Sequence, residues 1–192
     1  MKTPLASLDL TKLRVYPLAK RESLSRIENL LVAPDQPPPR CSAANQREIR
    51  DCARRIVAAR RRGASVMLLY GAHLIKNGAH RLVIRLLERG WVTHLATNGA
   101  GTIHDWELAF VGRTEESVRR NVATGTFGTW DETGRNIHLA LFAGALRGEG
   151  YGRSLGRFIW EDGVTLPSPA SLSKALRAAP AHPLAPARAE LL

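Results

Sequence analysis

The sequence is short of cysteine, methionine, lysine and aromatic residues, and the shortages exclude several classes of protein. Two cysteines, Cys41 and Cys52, are too few for a disulfide framework in 192 residues. No Cys-x-x-Cys or His-x-x-x-His spacing gathers metal ligands, so reduced thiols and no metal are expected. Aromatic residues make up 6% of the chain, which speaks against a protein that stacks nucleobases on rows of rings. No apolar run approaches the roughly 20 residues of a membrane span. The opening Met1-Lys2-Thr3-Pro4 lacks the apolar centre of a secretory leader. There is no Gly-Lys-Ser phosphate loop. These absences point to a soluble cytoplasmic protein with no membrane partner.

Acidic residues are also scarce: 17 stand against 28 basic ones, a formal charge of +11. Only five of the basic residues are lysine. Such a field favours anionic partners, but alanine richness with arginine in place of lysine is also the mark of coding bias. A solvated basic surface is therefore the plainer reading, and nucleic acid is not expected as a partner. What is present is ordinary for a folded chain: 44% hydrophobic and 23% charged residues exclude a disordered tail.

Periodicity divides the chain into 1–40 (one helix over 20–31 and a stiff Pro37-Pro38-Pro39 connector), an α/β domain over 41–166, and a C-terminal helix with its tail over 167–192. Within the α/β domain, a helix over 43–62 takes Ser42 as N-cap and stops at Gly63. It carries an apolar stripe of Ile49, Cys52, Ile56 and Val57, opposite Arg47, Arg50, Arg54 and Arg61. Residues 65–70 are continuously apolar, which suggests a strand covered on both faces. A helix over 74–89 and a second strand over 92–97 complete a parallel βαβ unit, with a further helix from 102. This core occupies 64–112, and helices fill 113–166, one of them opened by Thr114-Glu115-Glu116 and another over 132–147. Short strands at 13–16 and 164–166 would add to the sheet. The fold class is α/β, a parallel βαβ core with many flanking helices. A sheet of two strands, and a final helix that stops in its first turn, suggest a longer protein or a subunit that needs company.

In parallel sheets, ligands bind beyond the carboxyl ends of the strands. Those ends are Gly71-Ala72-His73 and Thr97-Asn98-Gly99-Ala100-Gly101. Glycines let a backbone approach a ligand closely, and a helix N-terminus offers free N–H groups to phosphate. His104 and Asp105 lie in the first turn of the helix that follows, placed for acid–base work. The bland alternative is a tight turn between strand and helix, with Asp105 complementing the helix dipole.

Two stretches carry a resemblance. Val66-Met67-Leu68-Leu69-Tyr70-Gly71-Ala72-His73-Leu74-Ile75-Lys76-Asn77-Gly78 resembles the first nucleotide-binding segment of deoxyhypusine synthase. Val92-Thr93-His94-Leu95-Ala96-Thr97-Asn98-Gly99-Ala100-Gly101-Thr102-Ile103-His104-Asp105 resembles its next segment, and the spacing between the two matches without a gap. The resemblance implies an NAD-binding, Rossmann-like sheet, a homo-oligomer (tetramers in that family), and NAD-dependent transfer of an aminobutyl group from spermidine to a protein lysine. It implies cofactor contacts from Gly71, Ala72, His73, Thr97, Asn98, Gly99, Ala100 and Gly101, with His104 and Asp105 as catalytic residues. The family usually has Thr, Ser and Asn at the positions of Gly71, Ala72 and His73, and a glutamate at that of His104. Its lysine-bearing Trp-Gly-Lys segment has no counterpart here. The leading expectation is an NAD-dependent transferase-like enzyme acting on an amine or polyamine-type substrate. The alternatives are a non-catalytic anion- or nucleic-acid-binding module built on arginine-rich helix faces, and an inactive or truncated paralogue.

Overall fold

The computed structural model describes residues 9–192, with only the backbone of Leu10; the opening residues 1–4, read above for a leader, lie outside them. The chain is mixed α/β and mostly helical. Among the described residues, four short strands, β1 (Ser25–Arg26), β2 (Met67–Tyr70), β3 (His94–Thr97) and β4 (Arg113–Thr114), form two separate two-stranded sheets. The helices are α1 (Ile27–Leu30), α2 (Ala43–Arg61), α3 (Ala72–Lys76), α4 (His80–Glu88), α5 (Gly99–Val111), α6 (Val118–Ala123), α7 (Asp131–Leu146), α8 (Tyr151–Trp160), α9 (Pro169–Ala178) and α10 (Ala185–Glu190). No described helix is long and apolar enough to cross a membrane.

β2 and β3 pair in parallel with Met67 opposite His94 and Tyr70 opposite Thr97, as the βαβ reading requires. The core lies elsewhere. Leu18, Trp106, Ile137, Ala140 and Leu155 form the buried cluster, so it is α5, α7, α8 and an N-terminal turn that pack most densely. The expectation that β2 is covered on both faces is corrected: Met67 is 52% and Leu69 70% exposed. α2 likewise starts at Ser42, whose side chain accepts the Asn45 N–H, but buries no residue along its length.

Local signals were overridden in three places. The helix expected over 20–31 forms only as α1, Ile27–Leu30. Leu24 N–H donates to Glu115 O and Ile27 N–H to Gly112 O, which draws the segment into β1 against β4. The helix expected over 74–89 breaks into α3 and α4 at Gly78, whose φ of +80° ends a helix readily. A Cβ there would come within 1.8 Å of the Leu30 carbonyl oxygen, so the break also seats this turn on the N-terminal segment. Thr114-Glu115-Glu116 does not open a helix: Thr114 is in β4, and α6 begins after Ser117, which caps Arg120 N–H. Of the extra strands expected, 13–16 contributes only an isolated bridge from Tyr16 to Trp130, and 164–166 forms none. α8 is held by Ser154, which packs into the space left by Gly144.

Candidate active site

A cavity of about 570 Å³ opens between α3, α5, α7 and the segment that joins β4 to α7. α5 supplies Ala100, Ile103, His104 and Glu107, spaced so that they share one helical face. α7 supplies Thr133, Gly134, Ile137 and His138, and α3 supplies Lys76. Glu115, Glu116, Phe127 and Trp130 line the remaining wall, with Arg21 at the base.

At its base lies a buried ion pair. Arg21 donates to both Glu107 oxygens, Nη1 to Oε1 at 2.6 Å and Nη2 to Oε2 at 2.9 Å. Thr133 Oγ1 donates to Oε1 at 2.8 Å and Thr114 Oγ1 to Oε2 at 2.6 Å. Both charged side chains are almost wholly buried, and four donors meet the carboxylate, which is what such a charge requires inside a protein. The guanidinium also stands 5.9 Å from the centre of the Trp130 ring.

The same hydrogen bonds determine the state of His104. Thr114 has one hydroxyl proton, and it goes to Glu107. The 2.6 Å contact between Thr114 Oγ1 and His104 Nδ1 is therefore Nδ1–H donating to the hydroxyl. Nε2 is left as the unprotonated nitrogen, without a hydrogen-bond partner among the described residues. Burial pushes the His104 pKa below its ordinary value, and nearby Lys76 and Arg21 push the same way, against Glu107 and Glu115. His104 is a neutral imidazole held in one tautomer by the Thr114–Glu107–Arg21 chain.

The upper wall is ordered around Glu115. Its φ of +66° is rare for a residue with a side chain, and such outliers gather where a site constrains the backbone. Lys76 Nζ stands 2.6 Å from its Oε1, and Ser25 donates to its Oε2. Burial raises the Glu115 pKa, but those hydrogen bonds outweigh it and hold the carboxyl below its usual range. Glu116 accepts from Asn121 Nδ2 and from Gly128 N–H, pinning the loop around α6. The buried Trp130 Nε1–H beside the cavity donates to nothing among the described residues.

Of the ten site residues expected from sequence, Ala100 and His104 line the cavity. Gly71, Ala72, His73, Thr97, Asn98, Gly99, Gly101 and Asp105 do not. Asp105, one residue on from His104, turns to the opposite side of α5, where its Oδ1 lies 3.6 Å from His80 Nε2. Its side chain is half exposed, yet packing around it raises its pKa, partly offset by His80.

The strand-end turn is filled from within. Asn98 Oδ1 accepts the Gly101 N–H at 3.1 Å, and its amide lies 3.4 Å from where a Gly71 Cβ would stand. A Cβ on Gly101 would fall 2.3 Å from Thr97 Oγ1, so this glycine serves the close seating of α5 on β3. Only Gly99 has open space around it. As arranged, these residues offer no cradle for the pyrophosphate of a dinucleotide.

Compared with known proteins, the chain matches no family model, no curated protein and no solved structure.

Sequence reasoning missed Arg21, Lys76, Glu107, Thr114, Glu115, Glu116, Trp130 and Thr133. One signal was available: His104 and Glu107 stand at i and i+3 on a helix, which puts an imidazole and a carboxylate on one face. The others come together only through the β1–β4 pairing and the packing of α3 and α7 on α5.

Proposed function

We propose that this cavity binds a small amine-bearing substrate and that His104 Nε2 accepts a proton from it, in a transferase-like reaction. The observation that carries the reading is the Arg21–Glu107–Thr114–His104 chain, which presents a neutral, tautomer-fixed imidazole to an enclosed cavity. Three carboxylates, Glu107, Glu115 and Glu116, face two cations, Arg21 and Lys76, so the cavity is net acidic within a chain of charge +11. Its Phe127, Trp130 and Tyr151 walls suit the methylene chain of an alkyl amine, or of a protein lysine. When His104 takes the proton from a bound ammonium group, the amine becomes a nucleophile. The new imidazolium is then stabilised by Glu107 through Thr114.

The resemblance to deoxyhypusine synthase supports the same substrate class. NAD is the cofactor that the resemblance implies, and no step is routed through it, because Asn98 fills the turn that would hold it. The uncovered Met67 and Leu69 support the homo-oligomer that the resemblance also implies.

Calorimetric titration with putrescine and spermidine tests the reading, with butane-1,4-diol as the uncharged control. Both amines are expected to bind and the diol is not. Gly134 lines the cavity and has open space at its Cβ position, so Gly134→Phe should fill the cavity, keep the fold and abolish amine binding. The absence of heat with either amine would remove the proposal. No thermal shift is expected at millimolar NAD, and a shift would restore the strand-end turn as a cofactor site.

A further inference from the structure

The formal charge is unevenly distributed. Residues 43–97 carry eleven basic and three acidic residues, a net +8, whereas residues 98–192, which hold most of the cavity, carry ten of each. The excess centres on α2, the 19-residue helix that buries nothing. Arg47, Arg50, Arg54 and Arg61 fall within about 60° of one another around the helix axis and span about 21 Å along it. The apolar Ile49, Cys52 and Ile56 lie on the opposite side, whereas Val57, expected in the same stripe, falls beside Arg50. Among the described residues, Arg47, Arg50 and Arg61 pair with no carboxylate, and Arg54 shares Asp51 with Arg55. A core-packing role explains none of these four side chains.

We propose that the arginine face of α2 binds the phosphate backbone of nucleic acid, without sequence preference. Guanidinium groups match phosphate oxygens two at a time and stay charged at any physiological pH. A line of four on an exposed helix neutralises several consecutive phosphates, which is what backbone binding requires. Phosphate contacts carry no sequence information, so the contact is unspecific, and the scarcity of aromatic residues leaves no rows of rings on which bases would stack. A bilayer is the less suitable partner: α2 has no Trp, Phe or Leu to sink below lipid headgroups. The inference is independent of the cavity's chemistry.

Fluorescence anisotropy with a labelled 20-base-pair DNA duplex, over a series of salt concentrations, tests it. Four phosphate contacts give a slope of log affinity on log salt of about −3.6, or roughly a hundredfold loss between 50 and 200 mM salt. The triple variant Arg47→Gln, Arg50→Gln, Arg61→Gln should flatten that slope by about 2.7. The control Arg119→Gln, Lys174→Gln, Arg177→Gln removes the same charge elsewhere and should leave the slope near wild type. Circular dichroism checks that both variants are folded. Equal losses in the two variants, no duplex binding at 50 mM salt, or binding to phosphatidylglycerol vesicles alone would each overturn the proposal.

Discussion

Glu107 is the side chain on which the site depends, because it holds Arg21, Thr133 and Thr114 and, through Thr114, His104. Glu107→Gln leaves the Arg21 guanidinium buried without a counter-charge, a loss expected to cost about 3–5 kcal/mol in urea unfolding. The double change Arg21→Met, Glu107→Leu removes both charges and should cost clearly less than Glu107→Gln alone. Stability should also respond to pH in a definite direction. Burial lowers the pKa of both His80 and His104 below the ordinary 6.5, so the unfolded chain binds protons that the folded chain refuses. Their contribution is complete above pH 6.5 and is lost as the pH falls from there through the folded values. Asp105, with its raised pKa, works the other way and favours the fold only at acid pH. Unfolding titrations from pH 7.5 to 5 should therefore show falling stability, and the variant carrying His80→Gln and His104→Gln should show a flatter profile.

The elements read correctly from sequence were those whose start and stop signals act locally. α2 begins at Ser42 and α9 at Ser168, each capped by its serine side chain, and α5 ends at Gly112 in the left-handed conformation. The parallel pairing of β2 and β3 was legible for the same reason, as two apolar runs separated by a helical one. The site was legible only at His104 and Ala100, because its other residues are placed by contacts across long stretches of chain. Arg21 and Glu107 are 86 residues apart in sequence. Thr114 reaches Glu107 and His104, and Glu115 reaches the cavity, beside the pairing of β4 with β1, where local signals favour a helix N-terminus. Gly78 is the element-scale test of that coupling. Gly78→Ala meets both a left-handed backbone and the Leu30 carbonyl oxygen. It should destabilise the chain by more than the roughly 1 kcal/mol of an ordinary glycine cap, read as a lowered urea midpoint.

At the scale of the whole molecule, order and charge follow the same division. The buried cluster joins α5, α7, α8 and Leu18, whereas α2 buries nothing and α4 buries only Val83. Amide hydrogen exchange should accordingly be fastest in α2 and α4 and slowest in α5 and α7. The reverse order would mean that α2 and α4 are covered in solution. The cavity draws on the N-terminal segment, α3, α5, the 113–130 stretch and α7 together, so the ring of His104 reports on the whole assembly. Long-range proton–nitrogen NMR of that ring, titrated with pH and then with putrescine, is the most direct measurement. It should find the Nδ1–H tautomer, a pKa below 6.5, and a shift of Nε2 on adding the amine. An Nε2–H tautomer, a raised pKa, or a ring indifferent to putrescine would contradict the assignment of this cavity as an amine site with His104 as its base.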